Sequence, residues 1–323
     1  MHFPLKPPAD KPFDAAGFGL NAVDHLIVVP EYPEFDTKIR FLEHTQSAGG
    51  QTATAMVALR RLGLKTAYAG RFGSDQEGVF GLKTLQDDDV NVDYTEVVEG
   101  ARNQLAFITV DARSGERTIV WDRDERLAYK RDEAPVELAS MGRVLHLDAH
   151  DPLACARLAQ AARAAGTIVS ADIDNVYEGL PELLPSIDIL IGSKEFPQRV
   201  TGVTDERAAL VELKDRYGCA LVGMTIGAAG AVIYHEGSFI ESEGFAAPGG
   251  CRDTTGAGDA FRGGFLYGFL TGEDIETSLK LGNAVAAMKC SALGARTALP
   301  TKSELEDFLL ICEHPRQNSG GEQ

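Results

Sequence analysis

Between Arg143 and Gly237 short apolar runs are interspersed with longer segments that carry apolar residues at helical spacing. RVLHLDA (143–149), TIVSADID (167–174), IDILIGS (187–193), CALVGMTIG (219–227) and GAVIYHEG (230–237) read as strands. PLACARLAQAARAAG (152–166) and DERAALVELKDRYG (205–218) read as helices, each stopped by glycine. Strands separated by helices must pair in parallel, and a parallel sheet has to be covered on both faces. The spacing therefore predicts a doubly wound α/β domain. Ligands of such sheets sit beyond the carboxyl ends of the strands.

The flanking segments extend this frame. The run Ala15–Val29, with LIVV at its end, reads as one strand, and TATAMVALRRLG (52–63) as an alanine-rich helix. KTAYAGRFG (65–73) reads as a strand, 76–89 as a helix, and 258–271 and 273–293 as two more helices. Residues 31–47 look extended and partly polar, and 104–110 and 117–121 alternate about the turn DARSGE as a hairpin would. These pieces fit a parallel core poorly. They predict a small β-sheet lid near 30–47 and 100–121 on a single domain spanning 15–312. Residues 1–14 and 313–323, rich in Pro, charge, Gly and Ser, read as flexible tails.

The net charge of −17 works against binding nucleic acid or an anionic membrane surface, although a small anion can still be held by local amides. No uninterrupted run of 18 apolar residues and no signal-peptide core occur, so a cytoplasmic protein is expected. Five scattered cysteines with no CxxC pair read as reduced thiols, and no HExxH is present.

One segment carries chemistry. Asp253-Thr254-Thr255-Gly256-Ala257-Gly258-Asp259-Ala260-Phe261 follows the loop APGGCR and opens a helix. Small residues at a helix start leave several N–H groups unpaired, and the helix dipole adds positive potential, which suits a phosphoryl group in transfer. Asp259 lies in the first turn, within reach of a hydroxyl held there. On spacing alone the segment equally fits a capped helix after a glycine turn. No GxxxxGK[ST] loop exists. Gly17-Phe18-Gly19-Leu20-Asn21-Ala22 matches a GxGxxA dinucleotide pattern, but a strand follows it where a helix should, which argues against an NAD enzyme.

DTTGAGDAF resembles the second signature of the ribokinase, or phosphofructokinase B, family of sugar kinases. AGGQTATAMVALRRLGLKTAYAGRFGSDQEG (48–78) resembles the first, and the likeness covers roughly 15–311. Within the family, YPEFDTKIR, SGERTIV, Ser193-Lys194-Glu195 and Lys289-Cys290 are similar to ketohexokinase. TATA, GRFGSD, TGV and GARTALP are similar to sulfofructose kinase. The resemblance implies a ribokinase-like fold with ATP as co-substrate, Mg²⁺ and a small sugar, and a homodimer joined through the lid.

It also implies roles. Asp259 would be the catalytic base, and Gly256, Ala257 and Gly258 the anion-hole amides. Asp24, Asp36, Gly49, Gly50, Gln51 and Thr54 would bind the sugar. Arg117, Ser193, Glu195, Thr225, Gly227, Gly230 and Asn283 would serve the nucleotide, with Glu195 reaching Mg²⁺ through water. Asp253 and the Thr255 carbonyl fit a monovalent-cation site such as K⁺.

Three departures bear on these roles. Gln51 and Thr54 stand where relatives commonly have Asn, which leaves the sugar open. Phe196 stands where the family's phosphate and magnesium motif usually has Glu, with Glu195 one residue earlier. Ala298 offers no side-chain oxygen where some relatives have Ser. The expected reaction is transfer of the ATP γ-phosphoryl group to a sugar hydroxyl, of a ketose or a sugar derivative. A nucleoside kinase of the same family and a non-catalytic sugar-binding regulator are the alternatives.

Overall fold

The computed structural model describes residues 1–314. Eight strands make the central sheet: β1 (Phe13–Phe18), β4 (Thr66–Ala69), β9 (Gly142–Leu147), β10 (Ile168–Ile173), β11 (Ile189–Gly192), β12 (Leu221–Thr225), β13 (Ala231–His235) and β14 (Ser238–Ser242). Their spatial order is β14-β13-β12-β11-β10-β9-β1-β4. Pairing is parallel from β4 to β12, and antiparallel only at β12–β13 and β13–β14. Four strands make a second sheet in the order β3-β2-β7-β8: β2 (Ala22–Val29), β3 (Glu43–Gly49), β7 (Leu105–Asp111) and β8 (Arg117–Asp122). A short parallel pair, β5 (Arg71–Gly73) and β6 (Glu96–Val98), lies apart.

Helices α1 (Gln51–Arg61), α2 (Gln76–Asp87), α7 (Ala257–Thr271), α8 (Ile275–Lys289) and α9 (Lys302–Glu313) contribute to the core on one face of the central sheet. There Met56, Leu59, Leu85, Phe265, Val285 and Leu305 pack with Val144, Ile189 and Ile233. Helices α3 (Pro152–Ala164), α4 (Leu180–Leu183), α5 (Phe196–Thr201) and α6 (Glu206–Tyr217) cover the other face. Leu158, Leu183, Phe196 and Leu213 pack there with Phe18, Leu147 and Leu190. Alternate residues of each strand thus feed opposite cores, as a two-sided parallel sheet requires.

The run Ala15–Val29 is not one strand. β1 ends at Phe18 in the central sheet, and β2 starts at Ala22 in the small sheet. The break is held from far along the chain. Leu20 N donates to Asp148 Oδ2 at 2.6 Å, Tyr68 hydroxyl donates to Gly19 O at 2.6 Å, and a Cβ on Gly19 would lie 2.0 Å from that same Asp148 oxygen. LIVV therefore belongs to the lid, which begins earlier than residue 30, while 31–41 is connection rather than strand. The hairpin about DARSGE forms as β7–β8.

The lid registers Asp24 with Ala106 and Trp121, Leu26 with Ile108 and Ile119, and Val28 with Val110 and Arg117, so these residues share one face. Residues 1–14 are expected as a flexible tail, but β1 begins at Phe13, and the first residues contact the α7–α8 end. Ile275 N donates to Met1 O at 2.9 Å, and the Phe3 ring lies 4.6 Å from that of Phe269. The tail expected at 313–323 begins inside α9 and from 315 lies outside the described residues.

Candidate active site

The start of α7 is shaped by two glycines and an enclosed aspartate. Gly256 adopts φ 77°, and a Cβ there would fall 2.7 Å from the Ala295 Cβ, so glycine is required. Asp253 is wholly buried; its Oδ1 accepts from Thr255 N at 2.8 Å and its Oδ2 from Gly294 N at 2.8 Å. Among the described residues the amides of Gly256, Gly258 and Asp259 have no backbone acceptor. The Ala257 amide, expected in the anion hole, donates to Thr254 O at 3.1 Å. The free donors are therefore those of Gly256, Gly258 and Asp259, at the positive end of a 15-residue helix.

Asp259 projects from this first turn. Burial pushes its carboxyl up to about 6; Arg262, one turn further, counters that, while Asp174 and Asp148 raise it further. Arg262 is buried and pairs with Asp172 on β10 at 2.9 Å, its Nη2 also donating to Ile191 O at 3.0 Å. This ion pair sits beneath Asp259 and fixes a positive charge behind the base. Burial raises Asp172 as well, against the pull of Arg262.

The acceptor side is built around Asp24. Asp24 is 6% exposed, and a Cβ on Gly49 would lie 2.5 Å from its Oδ2. Burial pushes Asp24 up to about 7, opposed first by Arg296 and reinforced by Asp259 and Asp253. Gly50 caps α1 at φ 91°, where a Cβ would meet Leu20 O at 2.4 Å. Gln51 opens α1, its Oε1 2.9 Å from His150 Nε2, and His150 in turn lies 3.5 Å from the Tyr177 hydroxyl, which donates to Asp174 at 2.9 Å. Thr54 differs from expectation. It is fully buried and its hydroxyl accepts from Arg296 Nε at 3.3 Å, so it supports the pocket floor and does not line the pocket.

Arg296 itself is 5% exposed and donates to Gly49 O and to Thr84 Oγ1, the latter at 3.2 Å. No carboxylate pairs with it within ion-pair distance among the described residues. Burial lowers its pKa to about 10, and Asp24 and Asp259 are among the charges that hold the proton on.

A cleft of about 450 Å³ opens on the other side of the α7 start. Thr225, Gly227, Gly230 and Asn283 line it together with Thr254, Ala257 and Gly258. Gly230, at φ 103°, leaves its Cβ direction only 2.0 Å from Ser242 O, and the Asn283 amide donates to Ser242 O at 2.9 Å and Glu243 O at 3.1 Å. Asn283 thus braces the wall. Arg117 reaches down from β8 to donate to the Thr254 hydroxyl, roofing a second cleft of about 730 Å³ between the lid tip and the α7 loop.

Three expected residues stand further out. Ser193 Oγ donates to Asp174 O at 3.3 Å, and Glu195 is exposed just before α5. Phe196, where the family usually has Glu, is fully enclosed in the core. Asp36 is exposed on the β2–β3 connection at φ 59°, and no hydrogen bond ties it to the site among the described residues.

The structure also brings His150, Asp172, Arg262 and Arg296 to the site, none of which lies within either signature. Arg296 lies within GARTALP and His150 just past the carboxyl end of β9, where ligands of such sheets gather, so both had a signal.

The sequence model of the pfkB family carbohydrate kinases matches residues 18–302. A nucleoside kinase of Methanothermobacter thermautotrophicus is 27% identical over 305 residues, 90% of this chain and 94% of that one. A candidate ribokinase of Agrobacterium tumefaciens superposes with a TM-score of 0.85 at 27% identity, covering 93% of this chain and 98% of that one. A fructokinase double mutant of Vibrio cholerae, solved with fructose, ADP and a potassium ion, does so at 0.74 and 25%, covering 93% and 100%. The three names differ in their acceptor, and none is a ketohexokinase or a sulfofructose kinase.

Proposed function

The chain belongs to the pfkB family of carbohydrate kinases, and from that premise we propose that it transfers the γ-phosphoryl group of ATP to the primary hydroxyl of a ketose or a related sugar derivative. The observation that carries this reading is the position of Asp259. It stands at a helix start with three free amides, next to Thr254, Ala257 and Gly258 that line the 450 Å³ cleft, and close enough to Asp24 for its charge to raise that carboxyl.

In this reading Asp24 and the Gly49–Gln51 backbone orient the acceptor, so that one hydroxyl meets Asp259. The carboxylate takes the proton as the hydroxyl oxygen bonds to Pγ and the bridging oxygen–Pγ bond breaks, releasing ADP. The amides of Gly256, Gly258 and Asp259 receive the charge on the phosphoryl oxygens, and Arg117 covers them from the lid. Catalysis is then mostly positioning and charge stabilisation. Mg²⁺ would neutralise phosphate charge. It prefers phosphate oxygens and water to a full protein cage, and the exposed carboxylates of Asp174 and Glu195 suit water-mediated contact.

The same reading expects a cytoplasmic homodimer joined through the lid; no described helix is long and apolar enough to cross a membrane. Ile119 (44% exposed) and Trp121 (60%) extend the buried Ala106–Ile108 row to the edge strand, an apolar margin that a second lid would cover.

A nucleoside acceptor is the second reading. It is supported by the Methanothermobacter relative and by the tilted His150–Tyr177 pair, with centroids 5.1 Å apart, which offers ring surface beside Gln51. An ADP-release screen over ketoses, sugar acids, sulfosugars and nucleosides separates the two. The highest kcat/KM is expected with a ketose or ketose derivative, and a nucleoside as best acceptor would sink the first reading.

A further inference from the structure

Lys289 is the last residue of α8, and its side chain has no solvent exposure. Its Nζ donates to Asp253 O at 2.8 Å and lies 3.6 Å from Asp253 Oδ2, the carboxylate also having no exposure. An ammonium enclosed this way needs a compensating charge and acceptors, and Asp253 supplies both.

That placement bears on the monovalent-cation site expected at Asp253 and the Thr255 carbonyl. A bare cation needs several oxygen ligands and net negative charge. Here both carboxylate oxygens accept backbone amides, from Thr255 and Gly294, and the single negative charge already faces an ammonium. A second cation beside it would meet an unscreened like charge in a closed, low-dielectric space. Ala298 adds no side-chain oxygen. The residues present do not fit a free K⁺.

We infer that Lys289 is a tethered replacement for the monovalent cation, so that the enzyme works without K⁺. An ammonium carries the same charge as K⁺ on a compact head. Bound to Asp253, it fixes the aspartate that holds Thr255 N and Gly294 N. Those contacts set the turn at Gly256 and with it the free amides of the anion hole. Lys289 is a positioning residue in this scheme, acting through Asp253 and the loop. The inference rests on reading 253–259 as the phosphoryl site, but not on the identity of the sugar.

The test compares KCl, NH₄Cl and choline chloride at matched ionic strength, by turnover and by thermal melting with ADP bound. The native enzyme is expected to turn over within about twofold in all three, with one Tm. Lys289→Ala is expected to lose about tenfold or more in kcat, to regain much of it in K⁺ or NH₄⁺ but not in choline, and to melt higher in K⁺. A saturable, several-fold K⁺ activation of the native enzyme, or a K⁺-dependent rise in its Tm, overturns the inference, and needs no variant to fold. A folded Lys289→Ala with normal, cation-independent turnover overturns it as well. Melting needs no acceptor, so a wrong sugar assignment cannot be mistaken for either result.

Discussion

The two ends of the proposed active site are built by different means. The phosphoryl end is one contiguous stretch, 253–259, whose working groups are backbone amides, a helix start and one carboxylate. The acceptor end is assembled from five places: β2 (Asp24), the β3–α1 junction (Gly49–Gln51), the segments after β9 (His150) and β10 (Asp174, Tyr177), and the turn at Arg296. Its working groups are mostly side chains, joined by the Gly49–Gln51 backbone. A backbone site serves any acceptor, because amides do not vary with sequence. A side-chain site can be re-specified by a few substitutions without disturbing the transfer step. That division fits relatives named for a nucleoside, ribose and fructose on one shared fold.

The largest effect should come from breaking the phosphoryl end at its base. Asp259→Asn is expected to lower kcat by about 10²-fold or more for every acceptor alike, with little change in KM. Steady-state kinetics on two acceptors check both parts. The pH dependence sharpens this. Asp259 is raised to about 6, so the base is ionised above that pH, and kcat/KM should fall as pH drops through it. Asp24, raised to about 7 by burial, adds a second acid-side loss. A profile flat from pH 8 to about 5 would contradict the assignment of a shifted base.

Arg296→Met comes next and strikes the acceptor end. It removes the Arg296 donor from Gly49 O and from the Thr54 and Thr84 hydroxyls, and takes from Asp24 the cation that most opposes its burial shift. An unmade hydrogen bond to a buried group costs about 1–3 kcal/mol. Acceptor KM should rise by about tenfold, while KM for ATP stays near native. An equal rise in both would mean that Arg296 merely supports the whole domain.

The same contrast explains what could be read in the sequence. The proposed phosphoryl end stands in the sequence as the string DTTGAGD, because the groups assigned to it are neighbours in the chain. The two-sided parallel sheet was legible too, since its strands and helices are set by local spacing. The lid boundary was not. LIVV suits a core strand and a lid strand equally, and what separates them is the turn at Gly19–Asn21, pinned by Asp148 some 128 residues on. Thr54 has the spacing of a pocket residue on α1, but Arg296, 242 residues away, covers it. Lys289 carries no local sign that its ammonium will close on Asp253. Long-range pairings decide these cases, and a single sequence leaves them open.

His150→Phe probes specificity more finely. It keeps a ring beside Tyr177 but removes the Nε2 that faces Gln51 Oε1, freeing the amide to turn toward the acceptor. The expected outcome is a shift of about threefold to tenfold in the ratio of kcat/KM between a ketose and a nucleoside, with kcat on the better acceptor nearly unchanged. An unaltered ratio would confine the acceptor to the Asp24 side of the pocket.

The smallest catalytic effect should follow Trp121→Ser, which touches neither end. Trp121 lies on an edge strand exposed along its whole length, on the face that also carries Asp24 and Arg117. If that margin joins two lids, the polar substitution removes an aromatic anchor of the kind that contributes 2 kcal/mol or more to an interface. Light scattering should then show the dimer dissociating at concentrations where the native protein stays associated. Arg117 and Asp24 sit on the strands that such a contact would steady, so acceptor KM should rise by about twofold to threefold as the lid loosens. The phosphoryl end does not depend on the lid for its amides, and kcat at saturation should hold. A monomeric native protein would leave Trp121 without this role and make the acceptor end, like the phosphoryl end, the property of a single chain.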